Sequence, residues 1–377
     1  MSAINQQKEL NKEPTKARCK WVDIAKGMAI ILVLLSHTQF WDFCEAHPST
    51  FTKALGTLAG IGCASFMAVF FFLSGYTFQD KPHVLSQKAR RLIAPYIKWG
   101  ILYLSLDTSV RLFMGSYNHL TLAKHSCGIL YSRFALFPFG ETSNIFLFPA
   151  GAGPLWFLTC LLLSYVFFIP LIRNRHRVLL MITYITITFC VSFLPILLPW
   201  SLDTALTGTI FIYAGYKFRN IKGINATSFT KAVIFTLICT IYVSLVIYNG
   251  NINMSVRIFG KHTSSLFIFI LIGITGSYIF CTIAKFLEKV FLSTILANIG
   301  KISLTLMCSH LLAYMAIDRI LTPGFPLYCD IMKPTGLRFL IQIISAIIFA
   351  FAIEKVFSII KKLDLNNKRS KIEAIDK

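Results

Sequence analysis

Three ionisable side chains share one face of an apolar run near the start of the chain. The run opens at Asp23, carries Lys26-Gly27, and reaches Ser36-His37 eleven residues after the lysine. Ionisable groups inside a membrane span are costly and usually face a functional interior. At ~1.5 Å rise per residue, Lys26 and His37 stand ~16 Å apart along a helix axis. At about 100° per residue, Asp23, Lys26 and His37 fall within ~40° of one another. The separation is similar to the reach of a pantetheine arm, which suits a long, phosphate-headed thioester such as acetyl-CoA. A neutral imidazole at His37 has two chemical uses there. It can act as a general base toward a hydroxyl or as a transient acyl carrier. Polar helix packing is the third reading. His37 and Asp23 are the catalytic candidates.

A second histidine, His310, follows Gly300-Lys301 and Ser303 in another apolar run. It stands ~14 Å beyond Lys301, and His37 stands ~21 Å beyond Asp23, so the two rings are expected at similar depth. Lys88, Arg90 and Arg91 cluster before a third apolar run. Such charges serve topology, and they also suit a pyrophosphate at a helix start. Ser74, in Leu73-Ser74-Gly75-Tyr76, lies at the same end, where small residues also fit close helix approach. Lys26, Lys88, Arg90, Arg91 and Ser74 are therefore the donor-binding candidates. Trp156 opens another run, where an interfacial belt is the plainer reading. Asn249-Gly-Asn251-Ile-Asn253 reads as a turn or as a hydrogen-bonding rim. Trp156, Asn253 and His310 are the candidates for the acceptor side.

The elements that position these residues are membrane helices. The chain has 377 residues, 55% hydrophobic and 14% charged, where a soluble domain carries roughly 25% charged residues. Ten apolar runs reach or approach the ~20 residues that cross ~30 Å of hydrocarbon. They lie near 24–40, 60–78, 93–113, 155–172, 178–198, 202–218, 232–248, 264–286, 302–317 and 337–360, with an interfacial helix expected over 291–298. The expected fold is all-α and polytopic. It has a tail over 1–22, a membrane domain over 23–360 and a basic tail over 361–377. With the N-terminus inside, the inner segments hold 25 Lys and Arg and the outer segments 7. The positive-inside rule then places both termini in the cytoplasm. Lys8, Lys12 and Lys16 precede the first run without a small-residue cleavage site, so that run is expected to remain as a span. The net charge of +21 is scattered at span ends and forms no basic patch with interleaved aromatics, which excludes nucleic acid as the partner. Ten cysteines show no CxxC pair and no metal-ligand spacing, so no bound metal or cofactor is expected. The outer loop over 114–153, rich in Phe, Gly and Pro, is expected to shape the mouth of a cavity.

In order along residues 20–315, these segments resemble the acyltransferase-3 family of integral membrane acyltransferases, especially its fucose 4-O-acetylase-like branch. The resemblance is carried by Asp23-Ile-Ala-Lys26-Gly27 with His37, Phe71-Phe72-Leu73-Ser74-Gly75-Tyr76, and Arg90-Arg91-Leu-Ile-Ala-Pro95-Tyr96. It continues through Leu155-Trp156-Phe157-Leu158, Leu202-Asp203-Thr-Ala, Asn249-Gly-Asn-Ile-Asn253, and Ile299-Gly300-Lys301-Ile-Ser303 with His310. It implies a ten-helix enzyme of the bacterial inner membrane. Such an enzyme moves an acyl group, usually acetyl from cytoplasmic acetyl-CoA, to a surface or lipid-linked sugar. The family's basic-x10-His element maps onto Lys26 and His37, and its paired basic motif onto Lys88-Ala-Arg90-Arg91. Both have Lys where many relatives have Arg. Ammonium and guanidinium are not equivalent phosphate clamps, so these departures bear on donor affinity. Larger relatives append an extracytoplasmic esterase-like domain, which is not expected in a chain ending at Lys377.

The sequence therefore reads as a membrane O-acetyltransferase whose partners are the lipid bilayer, acetyl-CoA and a glycan. The competing class is a transporter or flippase of a lipid-linked glycan, because intramembrane ionisable residues also mark transport pathways. Against it stand the lack of repeated halves and of a matched pair of broken helices. Reporter fusions after residue 20, near 85 and after 370 should report cytoplasm, and a fusion near 130 the outer side. A cytoplasmic signal at 130 would overturn the span assignment.

Overall fold

The computed structural model describes residues 18–138, 145–221, 227–291, 293–320 and 336–375, so Lys8, Lys12 and Lys16 lie outside it. Fifteen helices follow in chain order: α1 Lys20–Ser36, α2 Phe40–Ala46, α3 Thr50–Cys63, α4 Phe66–Tyr76, α5 Val84–Phe113, α6 His119–Tyr131, α7 Pro149–Ala152 and α8 Trp156–Arg173. They continue as α9 Arg177–Val191, α10 Leu202–Phe218, α11 Ser228–Asn249, α12 Ser265–Leu287, α13 Ser293–Lys301, α14 Ser303–Ile320 and α15 Gly336–Ile375. Extended pairing among the described residues is limited to two isolated bridges, Ala135 with Phe146 and Asn253 with Ile258.

Among these residues, five helical stretches are long and apolar enough alone to cross a membrane: Thr50–Tyr76, Trp156–Arg173, Ser228–Asn249, Ser265–Leu287 and Arg338–Ile360. The number rises to seven when two bent pairs each count as one span. Ten were expected. Helices do occupy the other expected positions, but with less apolar length. α5 carries Lys88, Arg90, Arg91, Lys98, Asp107 and Arg111, while α9 has 15 residues and α10 has 17, short of the ~20 that span a bilayer.

The first of the two bends corrects the sequence reading. The first run does not continue to residue 40. α1 ends at Ser36, His37 caps it, and α2 leaves at 59°. The Ser36 and Thr38 hydroxyls bond back to the Val33 and Leu35 carbonyls, both at 2.8 Å, and such back-bonding competes with helix continuation. The separate helix expected near 291–298 is observed as α13, which meets α14 at 79° and buries Ser293, Ala297, Ile299 and Gly300. The basic C-terminal segment continues α15 as helix to Ile375.

Two glycine pairs set the core. A Cβ on Gly27 would lie 2.1 Å from the Leu296 carbonyl oxygen, and one on Gly300 would lie 1.8 Å from that of Asp23. α1 and α13 therefore touch backbone to backbone. α4 and α10 repeat the device, because a Cβ on Gly75 or Gly215 would lie 1.9 Å from the carbonyl oxygen of Ile212 or Phe72. Without a hydrophobic driving force between helices in lipid, such close packing is a main source of association. Around these crossings Phe70, Phe71, Phe72, Phe157, Phe168 and Phe211 fill the interior. Phe71 meets Phe157 edge-on at 5.3 Å.

Gly75→Ala and Gly215→Ala should each destabilise the protein by about 1–3 kcal/mol through overpacking. Gly56→Ala, whose nearest neighbour would be Cys44 Sγ at 3.7 Å, should be neutral or stabilise by up to ~1 kcal/mol. Thermal unfolding of detergent-solubilised protein compares the three. Equal melting temperatures would remove the crossings from this account.

Candidate active site

The candidate residues separate to opposite ends of the bundle. α1 begins beside the end of α4, where Trp21 meets Tyr76 edge-on at 4.8 Å, and beside the end of α12, where Lys285 lies 4.9 Å over the Trp21 ring. At the far end of α1 is a cavity of about 1100 Å³. His37, His310, Trp156 and Asn253 all line it, with Trp41, Phe66, Phe134, Phe146 and Phe269 among the aromatic walls.

His37 owes its position to the break after α1. Its backbone N–H donates to the Leu34 carbonyl and that of Thr38 to the Leu35 carbonyl, both at 3.2 Å, and its side chain is exposed to the cavity. α14 brings up His310, which is fully buried. The two rings lie 5.2 Å apart, tilted by 35°, in keeping with the equal depth expected from the sequence. Tyr314, one turn further along α14, donates to the Leu34 carbonyl at 3.0 Å and ties α14 to the last turn of α1. Asn253 starts a short 3-10 turn, and its Oδ1 accepts from the Ser255 N–H at 3.1 Å and the Ser255 hydroxyl at 2.6 Å. Asn251 also lines the cavity. Asn249 turns inward, and its amide donates to the Phe259 carbonyl at 2.6 Å.

The cavity does not reach the basic end. On α1 its lining starts at Val33 and on α4 it stops at Ala68. Beyond them Ile30, Phe70 and Phe71 are packed and buried. Lys26 lies seven residues below Val33, ~10 Å along the axis. It is half-buried, within electrostatic range of Asp23, Arg18 and Lys88. Lys88 donates to the Tyr165 hydroxyl at 3.1 Å and lies 4.5 Å over its ring, and that hydroxyl donates to the Ser74 carbonyl at 3.3 Å. Lys26, Lys88 and Ser74 thus border one region. Arg90 and Arg91 are exposed, and Arg90 lies about 200° around α5 from Lys88, so the expected three-cation cluster is divided. Asp23 lies at the basic end, as the ~21 Å of helical rise to His37 implies, and so does not join the imidazole. It accepts both Nε and Nη2 of Arg18, at 2.6 and 2.9 Å, and is buried at the opposite end of α1 from the histidines. A shared helical face does not shorten the fourteen residues between Asp23 and His37.

A sequence model described as an acyltransferase domain, that of the acyltransferase-3 family, matches residues 20–355. The chain belongs to the acyltransferase-3 family. No curated protein and no solved structure gives a significant match. The matched segment takes in both the acyltransferase cavity and the basic end.

Sequence reasoning missed a third feature of this acyltransferase. Asp203, at the start of α10, accepts from the Nη2 of Arg133 and, at 3.1 Å, from the Nη1 of Arg257. All three side chains are essentially inaccessible to solvent. Arg133 also donates to the carbonyls of Leu198 at 3.0 Å and Ser255 at 2.5 Å. Arg257 donates to that of Ile196 at 2.9 Å. Burial lowers both arginine pKa values, opposed by the neighbouring carboxylate. The triad joins three separate connections into the cavity mouth beside Phe134 and Ser255. Its signal in the sequence was slight: Arg133 and Arg257 are two of the seven basic residues in the outer segments.

Asp203→Asn strands two buried guanidinium groups and should cost about 3–5 kcal/mol. Arg173→Ala removes an exposed pair with Asp80 and should cost at most ~1 kcal/mol. The yield and melting temperature of inserted protein test the contrast. Equal effects would show that the triad does not hold the mouth together.

Proposed function

We propose that the chain is an O-acetyltransferase of the bacterial inner membrane, moving acetyl from cytoplasmic acetyl-CoA to a hydroxyl of a surface or lipid-linked glycan, as in the fucose 4-O-acetylase-like branch it resembles. The observation that carries this reading is the single cavity into which His37, His310, Trp156 and Asn253 converge from distant parts of an acyltransferase-3 chain. Among its described lining residues there is no Asp, Glu, Lys or Arg. An uncharged acceptor suits such walls, with sugar C–H faces against Trp41 and Trp156 and hydroxyls toward the few polar groups. The two broken helix pairs are a feature that transporters also use, and the match to an acyltransferase family favours acyl transfer over transport.

In this account the donor's phosphates lie at the opposite end, on Lys26, Lys88 and Arg91 beside Ser74. The arm follows α1 past the Phe70 and Phe71 side chains, which move aside to admit it, and the thioester carbonyl reaches His37. His37 takes the proton of the acceptor hydroxyl as its oxygen attacks the carbonyl carbon. The C–O bond forms, the C–S bond breaks, and the proton passes from the imidazolium to the departing thiolate. Holding both reactants in one narrow cavity adds orientation to base catalysis.

His37→Ala should insert normally yet lose acetyl transfer by about 10²-fold or more, scored as label passing from acetyl-CoA to glycan in isolated membranes. Lys88→Gln should raise the acetyl-CoA concentration needed more than it slows saturated turnover, the pattern of lost uniform binding. Arg90→Gln, on the other face of α5, should leave the donor curve unchanged. Normal turnover in the His37 variant, or identical donor curves for both α5 variants, would contradict these assignments.

A further inference from the structure

His310 has one nitrogen spent and one unused. Its Nδ1 lies 3.0 Å from the Leu306 carbonyl oxygen. A carbonyl only accepts, so Nδ1 carries the hydrogen and Nε2 keeps its lone pair. That Nε2 is buried and has no partner among the described residues. Two rings pack against His310. Tyr314, at 5.7 Å, has already given its hydroxyl hydrogen to Leu34. The other is His37, at 5.2 Å, and no hydrogen bond among the described residues commits either of its ring nitrogens. The two histidines also differ in exposure, since His37 opens to the cavity while His310 is completely shielded.

We infer that His310 is a positioning residue for His37, its Nε2 accepting the N–H of the His37 ring and so turning the other His37 nitrogen, lone pair outward, into the cavity. This rests on the acyl-transfer reading above and deepens it. Ring centres 5.2 Å apart leave hydrogen-bond reach between two imidazole nitrogens that face each other, and the proposed bond requires rotation of His37 about its Cβ–Cγ bond. The chain of bonds then runs from the Leu306 carbonyl through His310 and His37 to the acceptor hydroxyl. When His37 takes the hydroxyl proton, its bond to His310 becomes charge-assisted and strengthens. His310 stays neutral because it is completely buried, where a second positive ring would carry the cost of desolvation. The proton on His37 leaves with the thiolate, so no charge accumulates.

The test uses the full chain in membranes with labelled acetyl-CoA, with turnover normalised to inserted protein. His310→Leu keeps an apolar side chain of similar size at the buried position, and the yield of inserted protein checks that it folds. Its kcat should nevertheless fall about 10²-fold, with the acetyl-CoA KM within roughly twofold of normal. His310→Gln restores an acceptor oxygen near the Nε2 position and should recover at least ~10-fold of that loss. Wild-type turnover in the Leu variant overturns the inference, as does a Gln variant no faster than Leu. In either case the acyl-transfer reading stands, because the unaltered chain still transfers label. No transfer by the unaltered chain would overturn that reading, and the positioning role with it.

Discussion

Backbone contact between helices is the constraint on which the other features depend. Gly27 against Leu296 and Gly300 against Asp23 bring α1 and α13 closer than side chains ordinarily allow. α14 follows α13 after a single residue, so this crossing also fixes where α14 starts relative to α1. His310 on α14 then comes to rest beside His37 at the end of α1. The Gly75 and Gly215 pair does the same for α4 and α10, and the first turn of α10 carries Asp203, which anchors the cavity mouth. Two backbone contacts, neither of them in the cavity, thus determine which side chains meet there.

The breaks in the helices matter as much as the crossings. A histidine inside a continuous helix is confined to one stripe. His37 instead stands at a terminus, where the chain bends and the last carbonyls of α1 lack helical partners. Tyr314 uses one of them, at Leu34. The same bend therefore exposes His37 to the cavity and gives α14 an attachment beside it.

Much of this was legible in the sequence. The helical class followed from composition, and the separation of basic and polar ends followed from helical rise between Lys26 and His37 and between Lys301 and His310. The same rise places Asp23 ~21 Å from His37, so their shared stripe does not make them partners, while Arg90 parts from Lys88 because two residues on a helix point about 200° apart. The bend at residue 37 lies inside the apolar run 24–40, where hydropathy carries no signal of direction, whereas the break at 302 falls at the boundary the sequence places between the 291–298 helix and the 302–317 run. The glycines that govern packing had been noted chiefly as neighbours of Lys26, Ser74 and Lys301. The Arg133, Asp203 and Arg257 triad draws on three connections 54 to 122 residues apart in sequence, a pairing that no local pattern encodes.

The packed aromatic layer between Lys26 and Val33 has a consequence beyond chemistry. A shaft open from one face of the bilayer to the other would let ions run down the membrane potential, which is worth about 2.3 kcal/mol per elementary charge per 100 mV. Among the described residues, Ile30, Phe70 and Phe71 are packed and buried between Lys26 and the cavity. In the proposed reaction the arm itself fills the space it opens, so the substrate acts as its own stopper and the cell's energised membrane stays electrically tight through each turnover.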